Sequence, residues 1–250
     1  MLEPPQVPEE SSGVTPGEPD GEVSGHTPWG GRDLLITVFA GGGLGLVAAT
    51  AVIVPLIDSI SGAAQLAILS TLLYGSLCGF GWWFALKRRG ATLADAGFRW
   101  VGLRPILMMI PTALLLIVVT ALLLLATDQL VGDVPTAQEQ VLGEQEALPV
   151  SDLVWLMLAG AVLAPIAEEF LFRGLLYRYL RARRTVLFAT ITSALLFALS
   201  HFVPVLIPSY IVFGIAEAIV AERYKSLYPA IALHALNNGA LFASLFATLN

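Results

Sequence analysis

Cysteine is all but missing from this chain. Cys78 is the single one, which excludes an intrachain disulfide and any cluster of thiolate metal ligands. Within an apolar stretch it reads as a small packing residue. Charge is scarce as well: 13% of residues are Asp, Glu, Lys or Arg, against 56% hydrophobic, with a mean hydropathy of +0.78. A soluble domain carries roughly 25% charged residues, so that class is excluded. No basic stripe with interleaved aromatics occurs, which removes nucleic acid as a partner. Several hydrolytic signatures are missing too: no His-Glu-x-x-His, no Gly-x-Ser-Gly and no Gly-x-Gly-Asp. The glycine run Gly41-Gly42-Gly43-Leu44-Gly45 lacks the Lys-Ser/Thr that a phosphate cradle needs. Gly41/Gly45 and Gly75/Gly79 instead have the small-xxx-small spacing that lets membrane helices approach closely.

What is abundant is long apolar sequence. Residues 1–33, rich in Pro, Gly, Ser and Glu, hold seven acidic residues and one basic residue, Arg32; they read as a disordered acidic tail and not as a signal peptide. His26 within it takes no role. Residues 34–250 read as one transmembrane domain. Seven apolar spans are expected, at about 34–57, 63–86, 105–127, 153–180, 186–201, 206–221 and 227–249. A spanning helix needs roughly 20 apolar residues. The fifth and sixth fall short of that, so the count is seven or eight. The fold class is therefore all-α, a polytopic helical bundle. Eleven of the thirteen basic residues cluster in three segments: Lys87–Arg104, Arg178–Arg184 and Arg223–Lys225. All three lie on one side of the expected bundle, while the 128–152 loop opposite is acidic throughout. The positive-inside rule then places the N-terminus in the cytoplasm and the C-terminus outside.

Against that background Glu168, Glu169 and Arg173 stand in the middle of a membrane-length apolar stretch. A charge at mid-bilayer costs about 2.5–3.5 kcal/mol on insertion scales, so three together call for a function. His201, four residues after Phe197, and His234, four residues before Asn238, add polar groups on later helices. Glu169 and Arg173 share a helix face and form the natural ion pair, while Glu168 is turned by about 100° from Glu169. That leaves Glu168 as the carboxylate free to act as a general base. The two histidines can move protons or bind metal, and the Asn238 amide can hold a developing oxyanion. Together these groups suffice for peptide-bond hydrolysis without a nucleophilic Ser or Cys. Glu217, another intramembrane carboxylate, is expected to be protonated or hydrogen-bonded to a neighbouring helix, without an assigned role.

Three ordered motifs carry a family resemblance: Ala167-Glu168-Glu169-Phe170-Leu171-Phe172-Arg173-Gly174, Phe197-Ala198-Leu199-Ser200-His201, and the run Ser226–Asn238 containing His234. Over residues 153–239 the chain resembles the CAAX-processing and bacteriocin-processing (CPBP, or Abi) intramembrane proteases. The resemblance implies an integral protein of a bacterial plasma membrane that cleaves a membrane-associated protein or peptide, lipidated or not. Glu168 would activate the water with help from His201, while His234 and Asn238 would stabilise the oxyanion. The family has been described both as metalloproteases and as glutamate proteases. A zinc site would draw on Glu168, His201 and His234. The sequence favours no metal, because neither histidine has a partner ligand on its own helix and Asn is a poor zinc ligand. Two readings from other classes stay open: a non-catalytic scaffold or bacteriocin self-immunity protein, and a proton-coupled transporter. No internal repeat supports the transporter.

Helix length poses a problem for a single site. At about 1.5 Å per residue, Glu168 lies ~18 Å from the Leu180 end, His234 only ~10 Å from Leu227, and His201 ~24 Å from Thr185. Straight, untilted helices would leave the three at different depths.

Overall fold

The structure is a computed structural model and describes residues 26–132 and 149–249. Among these residues every regular element is helical. Six helices are long and apolar enough to cross a membrane. We label them α1 (Gly31–Leu56), α2 (Gly62–Arg89), α3 (Leu103–Thr127), α4 (Val150–Arg181), α6 (Pro204–Tyr224) and α7 (Tyr228–Leu249), with the shorter α5 (Val186–Leu199) between α4 and α6. The protein is thus an integral membrane protein of all-helical fold. The fifth apolar stretch forms a helix of 14 residues, about 21 Å long, too short to cross by itself.

Local chemistry sets the helix ends. Ser61 caps α2 by accepting from Ala64 N at 3.2 Å, and Thr185 caps α5 by accepting from Phe188 N at 3.2 Å. Lys225, in a left-handed conformation at φ 50°, closes α6 and permits the tight turn into α7. Asp33 in the first turn of α1 accepts from Gly30 N and forms a 2.8 Å ion pair with Arg89 at the end of α2. That pair fixes α1 and α2 as an antiparallel hairpin. Gly45 lets the two helices touch, since a Cβ there would come within 2.7 Å of Leu73 Cα. Gly75 and Gly79 have open space where a Cβ would stand, so the close contact expected of both pairs forms only at the α1 pair.

The expected tail boundary at residue 33 shifts. Residues 1–25 lie outside the described residues, but Trp29 is buried and its indole N–H donates to Leu175 O at 3.1 Å. An indole placed on a buried carbonyl buries a large apolar ring and satisfies its one donor. The chain is therefore packed from just before α1. The acidic loop expected at 128–152 falls mostly on residues 133–148, also outside the described residues.

The helix α4 is the hub, touching α2, α5, α6 and α7. It is α-helical over Ala164–Glu169 and widens into π-helical turns on both sides, Met157–Leu163 and Phe170–Tyr177. Such wide turns commonly occur at functional sites. The α3 helix closes the bundle against α6 and α7. Large apolar side chains such as Phe39, Leu114, Leu115, Leu122 and Leu187 face outward, as lipid contact requires.

Candidate active site

Glu169 and Arg173 are both 0% exposed and pair at 2.9 Å, four residues apart on α4. Arg173 also donates to Gly214 O on α6 at 3.0 Å, and its guanidinium lies 4.6 Å from the centre of the Phe197 ring. A charge with no water around it thus has an ion partner, a carbonyl and a ring face. Sequence spacing did not reveal the second partner of Glu169. His234 Nδ1 lies 3.0 Å from the same oxygen, Oε1, that Arg173 contacts. A carboxylate on Nδ1 holds the proton there and turns Nε2 to the other side. Glu169 therefore orients an imidazole as well as balancing an arginine.

Glu168, one residue earlier, faces a different set of helices. Its Oε1 accepts a hydrogen bond from the Tyr74 hydroxyl on α2. Its Oε2 faces His234 Nε2 at 3.6 Å and His201 Nε2 at 4.0 Å. Both distances exceed a direct hydrogen bond and fit one bridged by water. His201 stands on the turn after α5, where Nδ1 donates to Phe197 O at 2.9 Å, so Nε2 points at Glu168. Tyr210 of α6 stacks on the His201 ring with centroids 4.1 Å apart. Neither tyrosine was singled out in the sequence. A tyrosine in an apolar span gives no signal of its own, because its partner comes from another helix.

Asn238, one turn beyond His234 on α7, donates one amide N–H to Gly160 O at 2.9 Å. Gly160 also lets α7 pack closely here, since a Cβ there would come within 2.2 Å of the Phe242 ring, one turn beyond Asn238. The structure thus brings Glu168, His201, His234 and Asn238 to one cavity of about 540 Å³ lined by residues of α2 through α7. Its walls are mostly apolar, with Leu66, Ile117, Leu156 and Phe213 among them. From Glu168 it extends toward the end of the bundle where α2 and α4 begin and α7 finishes. That end is opposite the basic loops.

The difficulty over depth resolves through the helix starts. Leu227, just before α7, packs beside Gly174, where a Cβ would come within 3.3 Å of its Cδ1, so α7 begins level with Gly174 and not with the end of α4. From that level Glu168 is ~9 Å along α4 and His234 ~10 Å beyond Leu227 along α7. His201 reaches Glu168 with its ring turned back over the last turn of α5, where Nδ1 donates to Phe197 O.

Among the described residues, the groups whose ligand atoms all lie within 4.8 Å of one another are Glu169, Glu217 and His234, not Glu168, His201 and His234. In that tighter trio the Arg173 guanidinium already occupies Glu169 Oε1, which opposes a further cation.

Comparison with known proteins agrees with the motifs. Residues 150–240 match the family described as type II CAAX prenyl endopeptidase Rce1-like. The membrane-embedded CAAX protease MroQ of Staphylococcus aureus (strain USA300) is 34% identical over 96 residues, 36% of this chain and 38% of that protein. The match thus spans little more than a third of that relative. No solved structure matches the chain.

Proposed function

We propose that this chain, whose residues 150–240 match the Rce1-like type II CAAX prenyl endopeptidase family, is an intramembrane endopeptidase that uses a Glu168-activated water. The observation that carries the reading is the convergence on one apolar cavity of a carboxylate and two imidazoles, each held by its own second partner. Side chains fixed in this way need little reorganisation when charge develops. A water between Glu168 Oε2 and His201 Nε2 would give a hydrogen bond to each and keep a lone pair for the scissile carbonyl. Attack forms the C–O bond while Glu168 takes the proton. Breaking the C–N bond then passes that proton to the leaving amine. The oxyanion would lie against His234 and the free N–H of Asn238. His234 Nε2 would take up the water proton from Glu168 Oε2, 3.6 Å away, hydrogen-bond the oxyanion with it while Nδ1 donates to Glu169, and return it through Glu168 to the leaving amine.

The substrate is a protein or peptide held by the bilayer, lipidated or not, because the cavity is mostly apolar and enclosed by membrane helices. The mechanism is read as metal-independent, on the donor spacing and the position of Arg173. A binding-only scaffold is the competing reading. Proteomics of membrane peptides in cells carrying the wild type or Glu168→Gln tests the proposal. Accumulation of uncleaved peptides with the folded variant is expected, and an unchanged peptide profile would leave the scaffold. Purified wild type should keep its activity after chelation. Loss of cleavage on chelation, with recovery on returning zinc, would overturn the metal-independent mechanism alone.

A further inference from the structure

One buried acid takes no part in this chemistry. Glu217 sits on α6, is 0% exposed, and follows by three residues Gly214, whose carbonyl receives Arg173. Neither of its carboxyl oxygens has a hydrogen-bond partner, and Glu169 Oε2 has none either. An atom from each of Glu169, Glu217 and His234 lies within 4.8 Å of the other two. The three therefore form one electrostatic unit next to Arg173.

Charge balance decides the state of that unit. Arg173 contributes one positive charge, and Glu169 answers it with Oε1, which His234 Nδ1 also shares. Arg173 is the one permanently charged cation beside the two carboxyls, so an ionised Glu217 would face the Glu169 carboxylate with no second permanent charge to balance it. Two carboxyls this close in a site with little water share a proton instead of both ionising. A protonated Glu217 has one O–H to donate, and Glu169 Oε2 is an acceptor without a donor.

We infer that Glu217 is a positioning residue for the proposed hydrolysis: it keeps its proton and donates it to Glu169 Oε2, holding Oε1 on His234 Nδ1. Its kinetic consequence rests on the hydrolase reading, but its protonation does not. Glu217 touches neither substrate nor water and acts through Glu169 and then His234. The arrangement uses the idle oxygen of Glu169, and it locks that carboxylate against rotation, so the imidazole keeps Nε2 toward the cavity.

The test uses the purified full chain in nanodiscs. Infrared spectra at neutral pH should show a protonated-carboxyl band that is absent from E217Q. In peptide cleavage, E217L should lose about 10–100-fold in kcat at unchanged KM, the scale seen when the partner of a ligating or catalytic group is removed. E217Q should restore most of that rate, because its amide N–H replaces the acid O–H. Three results would overturn the inference. One is no band sensitive to E217Q, as for a carboxylate ionised against Arg173. Another is E217Q as impaired as E217L. The third is stoichiometric zinc bound by the wild type and lost from E217Q, since an amide cannot replace a carboxylate ligand. If E217L does not fold, the band and the E217Q rate decide. A wild type that cleaves nothing refutes the hydrolase reading, and the band still decides on Glu217.

Discussion

Glu168 and Glu169 are adjacent in the chain yet have separate duties, because 100° of helix rotation sends them to different neighbours. Glu169 is sealed between Arg173 and His234, whereas Glu168 borders the cavity with Tyr74 and the two histidine Nε2 atoms. Substitution should separate these duties. Glu169→Gln leaves Arg173 as an uncompensated buried charge and is expected to destabilise the protein by about 3–5 kcal/mol. Glu168→Gln keeps the hydrogen bond with Tyr74 and leaves no buried charge alone, so its loss should appear in activity. Thermal melting of both variants in detergent checks this, and equal melting temperatures would refute the division. The i,i+4 ion pair was legible in the sequence because it lies within one helix. The Glu169–His234 contact, 65 residues apart in sequence, was not.

At the scale of elements, two features place these side chains. The π-helical turns flanking Ala164–Glu169 on α4 and the early end of α5 at Leu199 are both local departures from regular spanning helices. Hydropathy marked the fifth span as short but gave no sign of the π turns, since an apolar run has the same composition whether it forms α or π turns. Helix contacts were more readable where they depend on small residues. Gly41 and Gly45 do face α2, but the same spacing at Gly75 and Gly79 faces open space, so the motif permits contact without requiring it. Gly45→Leu should therefore push α1 from α2 and weaken the hairpin that positions Tyr74. We expect a lower melting temperature for Gly45→Leu and little change for Gly79→Leu. Equal losses from both would show that the α1–α2 contact does not depend on Gly45.

For the whole molecule, the distribution of basic residues makes its own prediction. With Lys87–Arg104, Arg178–Arg184 and Arg223–Lys225 on the cytoplasmic side, a cysteine at Ser151→Cys should react with an impermeant thiol reagent in intact cells. One at Arg184→Cys should react only after permeabilisation, and the reverse pattern would invert the topology. Membrane embedding, the all-helical class and the motif residues were determined by the sequence itself. They follow from hydropathy, from local spacing and from the cost of charge in hydrocarbon, none of which depends on how helices meet. What the tertiary structure decided was depth and partnership. The start of α7 level with Gly174 and the turn after α5 bring His234 and His201 to Glu168, and the packing of α2 and α6 adds Tyr74, Tyr210 and Glu217 to the site. Those contacts join residues from separate helices, and the offset of one helix against another is set by loops and side-chain packing that no single helix records.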